Sequence, residues 1–270
     1  MTWEDKPLPP VTVVKIGGAT LGQHDTTLED LVYLQKKGQA VVVVHGGGKV
    51  ITGWLDRQGL ASRFISGERV TDRPALEVVT AVLAGLVNKE LVAAITSLGG
   101  RAIGISGADG GLLQGRVKDP ELGYVGSVTR VDPAPLAAML AAGYLPVVAP
   151  VGLLTPAGPR EAVKLLNINA DTAAGEIAAA LGAARLIFLT DVAGIADGAG
   201  RTIPELSPRQ AEALIGGGVA SGGMVPKIRA CLRALPKTPI TRIIDGRQPH
   251  ALRHEIEGAG GGTTIRQADE

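Results

Sequence analysis

One cysteine, Cys231, is all the sulfhydryl chemistry this 270-residue chain carries. A lone thiol cannot close an internal disulfide, and no Cys/His spacing forms a zinc pattern. Cys231 therefore reads as small buried filler on a helix. Aromatic residues make up only 3%, so Ala, Val, Leu and Ile must fill the core in close helix-on-sheet contact. Neither sign of charge prevails: 27 Lys+Arg stand against 26 Asp+Glu. Net charge alone then draws in neither nucleic acid nor an anionic membrane, and small-molecule partners are expected. No uninterrupted apolar run reaches the roughly 20 residues of a membrane helix. Met1–Pro10 also lacks the basic stretch and apolar run of an export signal. The expectation is a soluble, cytoplasmic protein without nucleic-acid or membrane partners.

What the chain has is glycine, 38 residues of it, in a composition that is 45% hydrophobic. Two β-branched runs end in glycine: Val11-Thr-Val-Val-Lys15-Ile-Gly17-Gly18 and Val41-Val-Val-Val-His45-Gly46-Gly47-Gly48. Such runs read as parallel strands covered on both faces, with polar business confined to their ends. Glycine there lets a phosphate or carboxylate approach main-chain N–H groups, and a following helix adds the positive end of its dipole. Lys15 stands two residues before its glycines, which is the first hint of phosphoryl transfer.

Strand-like runs alternate with helix-like windows along almost the whole chain. That pattern predicts an α/β fold, a three-layer αβα sandwich with a mainly parallel central sheet. Helices are expected at Lys49–Gln58, behind Pro74 with Leu76, Val79, Leu83, Leu86 and Leu91 inward, from Asp132-Pro133 to Ala142, after Asp171, at Ser207–Ile215 and at Gly223–Leu235. Strands are expected at Arg101–Ser106, Tyr144–Val151, Arg185–Asp191, Ile240–Asp245 and Thr263–Arg266, with a hairpin arm over Ser62–Val70. The glycine-rich stretch Gly107–Val131 reads as an antiparallel ribbon at an edge. Thr155–Pro159 is the candidate boundary between two lobes that share one sheet, 1–155 and 156–270.

A kinase acting on a carboxylate needs no general base, because its acceptor is already a nucleophile. It must align donor and acceptor and neutralise charge, which calls for lysines, backbone donors and an acidic residue to position the lysines. Lys15 and Lys227 each lie beside glycine or at a helix start, where anions are stabilised. Other readings stand beside these. A lysine at a helix start also suits solvent, Asn169 or Asp171 also suits a helix N-cap, Arg69 also suits an exposed hairpin end, and His45 suits a packed strand end better than a proton shuttle.

The order of motifs is specific: Lys15-Ile-Gly-Gly18, Val44-His-Gly-Gly-Gly48, Arg69-Val-Thr-Asp72, Gly104-Ile-Ser-Gly107, Leu122-Gly-Tyr-Val-Gly126, Asn167-Ile-Asn-Ala-Asp171, Thr190-Asp-Val-Ala-Gly194 and Gly223-Met-Val-Pro-Lys227. From about Val11 to Arg266 this resembles the amino acid kinase family, and within it the acetylglutamate branch. No Walker motif is present. The resemblance implies ATP-dependent phosphorylation of the side-chain carboxylate of N-acetyl-L-glutamate in arginine biosynthesis. It implies Lys15 and Lys227 on the transferring phosphoryl group and Asp171 orienting both. Gly17, Gly18, Gly46, Gly47 and Gly48 would supply backbone donors, Arg69 would hold the substrate α-carboxylate, and Asn167 and Asn169 would fix the acetylamino acid. Thr190, Asp191, Gly194, Met224 and Lys227 would hold ATP, with Mg2+ carried by the nucleotide phosphates and no protein metal cage. The 1–155 lobe would bind the acyl amino acid and form a homodimer; the 156–270 lobe would bind nucleotide.

Relatives inhibited by arginine carry an extra amino-terminal helix, and about ten residues precede Val11 here, which favours the dimer. Asp245–His250 and Gly258–Gly262 nevertheless resemble the arginine-binding region of such relatives, and docking of a PII-type regulator is left open. Two departures from the family pattern stand out: Lys49 where proline often follows the glycines, and Glu68 beside Arg69, a negative charge near a dicarboxylate site. The alternatives are a related acyl amino acid kinase, such as the carrier-protein-linked aminoadipate kinase of lysine biosynthesis, and a nucleotide or amino acid sensor without turnover.

Overall fold

β-branched runs with both faces apolar set the frame. The computed structural model describes residues 9–17, 26–155 and 164–267; Gly18 and most of the boundary segment Thr155–Pro159 lie outside the described residues. The strands, in chain order, are β1 (Val11–Ile16), β2 (Ala40–His45), β3 (Phe64–Ile65), β4 (Glu68–Arg69), β5 (Ala102–Ser106), β6 (Leu113–Val117), β7 (Val125–Val131), β8 (Leu145–Ala149), β9 (Val151–Leu154), β10 (Leu165–Ile168), β11 (Arg185–Thr190), β12 (Glu205–Leu206), β13 (Ile240–Asp245) and β14 (Thr263–Ile265). Eight of them form one sheet in the order β12-β14-β13-β11-β1-β2-β8-β5. All neighbours run parallel except β13 and β14. The seam between the two halves of the chain is the β1–β11 pair, in register from Thr12↔Arg185 to Ile16↔Leu189. One sheet thus serves both halves.

Side-chain alternation sends each strand's residues into two cores. Val11 and Val13 of β1, Val42 and Val44 of β2, and Leu186 and Phe188 of β11 join one cluster. Val14 and Ile16, Val41 and Val43, and Ile187 and Leu189 join the other. Helices Ala134–Ala141, Ala170–Leu181, Pro208–Gly216 and Met224–Ala234 cover the first face, through residues such as Leu136, Ile177, Ala211 and Ile228. Helices Thr27–Lys36, Gly48–Arg57, Arg73–Ser97 and Ala251–Ile256 cover the second. Each fully buried Val, Leu or Ile contributes about 1.5–3 kcal/mol. The three-layer αβα expectation holds, and Cys231 is indeed fully buried filler.

Three expectations need correction. Tyr144–Val151 is not one strand: the ladder stops at Ala149 and restarts at Val151, because Pro150 has no N–H to continue it. The restart sends β9 elsewhere. The Gly107–Val131 ribbon does not lie at the edge of the main sheet; β6 and β7 close with β9 and β10 into a separate four-stranded barrel. Its tight spacing depends on Gly115 and Gly126, where a Cβ would meet the Ser127 carbonyl at 2.3 Å and Leu166 at 2.9 Å. Leu86, expected inward, is only half-buried. The cause lies in the helix Arg73–Ser97, whose middle seven residues, Ala81–Val87, form a π-turn. The wider turn shifts the inward register from Leu86 to Val87, which is in the core.

That helix has 25 residues and a mean hydropathy of 1.8 over its most apolar window, long and apolar enough by composition to cross a membrane. Its inward face, Leu76, Val79, Leu83, Val87, Leu91 and Ile95, is at most 6% exposed, as for a core helix. The helix Thr27–Lys36 was not anticipated. Its signal is legible in retrospect: Glu29 and Asp30 in the first turn, Leu31 and Leu34 inward, Lys36 in the last turn, and Gly38 at φ +77° just beyond.

Candidate active site

Strand parity fixes where Lys15 points. It shares the face of Val11 and Val13, the face covered by the helix Ala170–Leu181. Asn169 is the N-cap of that helix, its Oδ1 accepting from the amides of Asp171 (2.9 Å) and Thr172 (3.1 Å). The cap leaves Asp171 in the first turn, where the helix dipole favours a carboxylate. Lys15 Nζ stands 2.7 Å from Asp171 Oδ1. From the other side, Lys227 Nζ donates to Asp171 Oδ2 at 3.1 Å and to the Gly223 carbonyl at 3.1 Å. The two lysines, distant in sequence, meet across one carboxylate.

The close approach of two helices makes this possible. Gly175 of Ala170–Leu181 lies against Ala230 of Met224–Ala234 so tightly that a Cβ would meet the Ala230 carbonyl at 2.7 Å. Their first turns, carrying Asp171 and Lys227, are thereby brought together. Burial would raise the Asp171 carboxyl, but the charges of Lys15 and Lys227 and their hydrogen bonds outweigh it and hold the group below the usual carboxylate range. The result is a buried anion with a cation on each oxygen, leaving a net positive charge for a further anion.

The second part of the site is a cavity of about 180 Å3 lined by Gly46, Gly47, Gly48, Arg69, Asn167 and Asn169 together with apolar Ile51, Leu83 and Ile168. Gly48 opens the helix Gly48–Arg57, whose first amides lack intrahelical partners. Arg69 is fixed by neutral partners: Nη1 donates to Ser62 Oγ (2.7 Å), and Nη2 to Thr52 Oγ1 (2.7 Å) and the Gly48 carbonyl (3.0 Å). Its guanidinium lies 4.7 Å from the Phe64 ring centroid. Among the described residues, no carboxylate lies within 4 Å of it. Burial lowers the Arg69 pKa against the pull of Asp56, but an arginine stays charged. Arg69 is therefore buried, positive and held in place without a counter-ion. The β3–β4 hairpin presents it through a two-residue turn with both Ser66 and Gly67 at positive φ.

Asn167 donates to Thr71 Oγ1 at 2.9 Å, tying β10 to the Arg69-Val-Thr-Asp72 motif. Asp72 caps the long helix by accepting from the Ala75 amide. Glu68, the departure noted beside Arg69, is ion-paired with Lys118, which masks its charge. Lys49 is exposed.

Gly17 follows β1 at the carboxyl end of the sheet, and at the same end Thr190 is the last residue of β11, with Asp191 and Gly194 beyond it. Thr190 donates to Asp191 Oδ1 at 3.3 Å. Ligands of open α/β sheets collect outside this end. Gly194 is buried against Thr263 and Thr202, which occupy the space a Cβ would need, so its missing side chain answers to loop packing. Met224 is half-buried in the first turn of its helix. Among the described residues, no three His, Cys, Asp or Glu side chains gather as metal ligands, and both oxygens of Asp171 are taken by lysines. Asp245–His250 and Gly258–Gly262 meet around a separate cavity that includes Asp245, Gln248, His254 and Gly260.

Sequence reasoning missed Asn88. It is fully buried in the long helix, its Nδ2 3.2 Å from His45 Nε2. A lone amide within an apolar helical run was the available signal. His45 itself is buried, as its strand-end position suggested, and burial pushes it down to about 4, helped by Lys15 and Lys89 and opposed by its hydrogen bond to Gly46.

A protein of Dehalococcoides mccartyi named acetylglutamate kinase is 45% identical over 255 residues, 94% of each chain. The acetylglutamate kinase of Trichormus variabilis is 45% identical over 262 residues, 94% of this chain and 86% of that one. The crystal structure of smu.665 from Streptococcus mutans UA159 superposes with a TM-score of 0.80 at 26% identity, covering 96% of this chain and 99% of its own. The family model described as "Amino acid kinase family" matches residues 10–245, and on motifs, fold and match alike the chain belongs to that family.

Proposed function

We propose that the chain transfers the γ-phosphoryl group of ATP to the side-chain carboxylate of N-acetyl-L-glutamate, giving N-acetyl-L-glutamyl 5-phosphate and ADP for arginine biosynthesis. The observation that carries this reading is the pair of lysines on Asp171 beside a glycine-lined cavity with an uncompensated arginine. Curated relatives named acetylglutamate kinase at 44–45% identity support the same substrate.

In this reading a carboxylate oxygen of the acceptor attacks the γ-phosphorus as the bond to the β–γ bridging oxygen breaks, and that oxygen leaves with ADP. No proton need move. Lys15 and Lys227 neutralise charge growing on the transferred group, while Asp171 keeps their ammonium groups convergent before substrate arrives. Gly47 and Gly48 offer backbone donors, whereas the Gly46 amide, expected to be one, is spent on the Ile16 carbonyl. Arg69 meets the α-carboxylate with its charge and the donors of its planar fork that Ser62, Thr52 and Gly48 leave open, and Asn167 and Asn169 bound the far wall. Thr190, Asp191, Gly194 and Met224 belong to the nucleotide side. With the Asp171 carboxylate between the lysines already paired, the residues suit Mg2+ carried on the nucleotide phosphates, where it would neutralise phosphate charge. The 1–155 lobe would hold the acyl amino acid and pair two copies; 156–270 would hold ATP.

A coupled ADP-release assay with N-acetylglutamate, glutamate and aminoadipate derivatives is the test. Preference for N-acetylglutamate is expected. Preference for an aminoadipate derivative would reassign the substrate, and binding of ATP and acetylglutamate without ADP release would make the protein a sensor.

A further inference from the structure

Behind the Gly46–Gly48 loop lies a chain of hydrogen bonds whose donors and acceptors can be assigned by elimination. Lys89 Nζ, which can only donate, stands 3.0 Å from Asn88 Oδ1. The Val147 carbonyl, which can only accept, stands 2.9 Å from Asn88 Nδ2. Two independent partners therefore fix the Asn88 amide the same way round. Nδ2 also lies 3.3 Å from the Ile105 carbonyl, so its two hydrogens are shared among Val147, Ile105 and His45 Nε2 at 3.2 Å; a proton on Nε2 would point at this donor and find no acceptor there, so Nε2 is the bare nitrogen. The ring proton is left on Nδ1, which lies 3.0 Å from the Gly46 carbonyl and donates to it.

The surroundings are shaped to this arrangement. At Gly104, first residue of the Gly104-Ile-Ser-Gly107 motif, a Cβ would stand 2.0 Å from Asn88 Oδ1. Only glycine leaves the amide its place. The π-turn Ala81–Val87 ends immediately before Asn88. The same turn puts Leu83 and Val87 under Gly47, where a Cβ would meet Leu83 at 2.7 Å. Gly46 is held from its other side as well, its amide donating to the Ile16 carbonyl at 3.2 Å.

We infer that His45 is a positioning residue: a neutral imidazole with its proton on Nδ1, locked in that tautomer by Asn88, it pins the Gly46 carbonyl and so aims the backbone donors of Gly47 and Gly48 at the acceptor substrate. The inference rests on the proposed reading that these glycines hold the acceptor. Lys15 and Lys89 are the charges that bear on the ring, and both oppose its protonation. Asn88 acts one step further back.

The test joins nitrogen NMR of the imidazole with kinetics. In the wild-type enzyme near neutral pH, nitrogen shifts should mark a protonated Nδ1 and a bare Nε2. In Asn88→Asp, the carboxylate accepts from Nε2, the proton leaves Nδ1, and the grip on Gly46 is lost. Turnover should fall about 10²-fold with a raised KM for acetylglutamate and an unchanged KM for ATP, the expected penalty for a misaimed positioning group. If Asn88→Asp fails to fold, His45→Asn and His45→Leu decide. The Asn amide can still reach the Gly46 carbonyl and should keep more turnover than Leu. A wild-type ring protonated on Nε2 or on both nitrogens overturns the inference, as does an inverted tautomer with wild-type kinetics, or equal losses in His45→Asn and His45→Leu. A wild-type protein with the Nδ1 proton in place but no transfer to acetylglutamate would overturn the proposed function and leave the tautomer assignment standing.

Discussion

The two cationic regions of the site solve opposite problems. Lys15 and Lys227 come from distant parts of the chain and share a buried carboxylate, so their charges are aimed by an internal anion. Arg69 is held by Ser62, Thr52 and Gly48, and among the described residues its hydrogen-bond partners are all neutral. The first arrangement gives preorganised charge for a group that appears in transit. The second leaves one full charge for a ligand that must be bound and released. Packing between distant parts of the chain governs the first, and a hairpin docked on the helix Gly48–Arg57 the second, so substitutions should separate into turnover effects and binding effects.

Asp171→Ala should break the comparison most severely, lowering kcat by about 10³-fold, with Lys227→Ala close behind. Single-turnover measurements check both. Stranding the buried Lys15 and the half-buried Lys227 should also destabilise the fold by about 3–5 kcal/mol in denaturant titrations. Because the folded Asp171 carboxyl is held below its unfolded value, this contribution is complete above the ordinary carboxylate range and disappears as pH falls through the folded value. In Asp171→Asn that part of the acid dependence should be missing.

Arg69→Ala should act on the other side of the division, raising KM for acetylglutamate about tenfold to a hundredfold with little change in kcat, as for loss of a hydrogen bond to a charged group. An unchanged KM would remove its assigned role. Arg69→Lys should recover only part, since an ammonium lacks the fork. Gly175→Val is a sharper instrument. It wedges apart the helices that carry Asp171 and Lys227, costs about 1–3 kcal/mol by overpacking, and should depress kcat more than the acetylglutamate KM. Smallest is Lys118→Ala, which unmasks Glu68 for about 0.2–1 kcal/mol. It should raise the same KM slightly at low salt, an effect that added salt erases.

Much of this was legible before any coordinates. Lys15 could be placed because its strand runs out into glycines two residues later, and Asp171 because the stretch from Asn167 to Asp171 leads into a helix. Which of Asn169 and Asp171 caps that helix was not legible, since both side chains can accept from its first amides; the structure gives the cap to Asn169. The π-turn was hidden for a different reason. Leu76, Val79, Leu83, Leu86 and Leu91 fit an α-period well enough that nothing in the letters betrays the extra residue, and only burial distinguishes Leu86 from Val87. The barrel was hidden by Pro150, which splits one apolar run between two sheets. Nor could composition show that Lys118 would neutralise Glu68, a pairing between residues of separate hairpins.

The solitary sulfur offers a practical return. Cys231 sits one residue past Ala230, at the tight crossing with Gly175, fully buried, with burial pushing its thiol up to about 12. In the closed protein it has no thiolate to offer an alkylating reagent, so each labelled molecule records one moment when its helix lifted from the sheet. The chain thus contains its own stopwatch, placed where the spacing of Lys227 and Asp171 is set, with no second thiol to blur the reading.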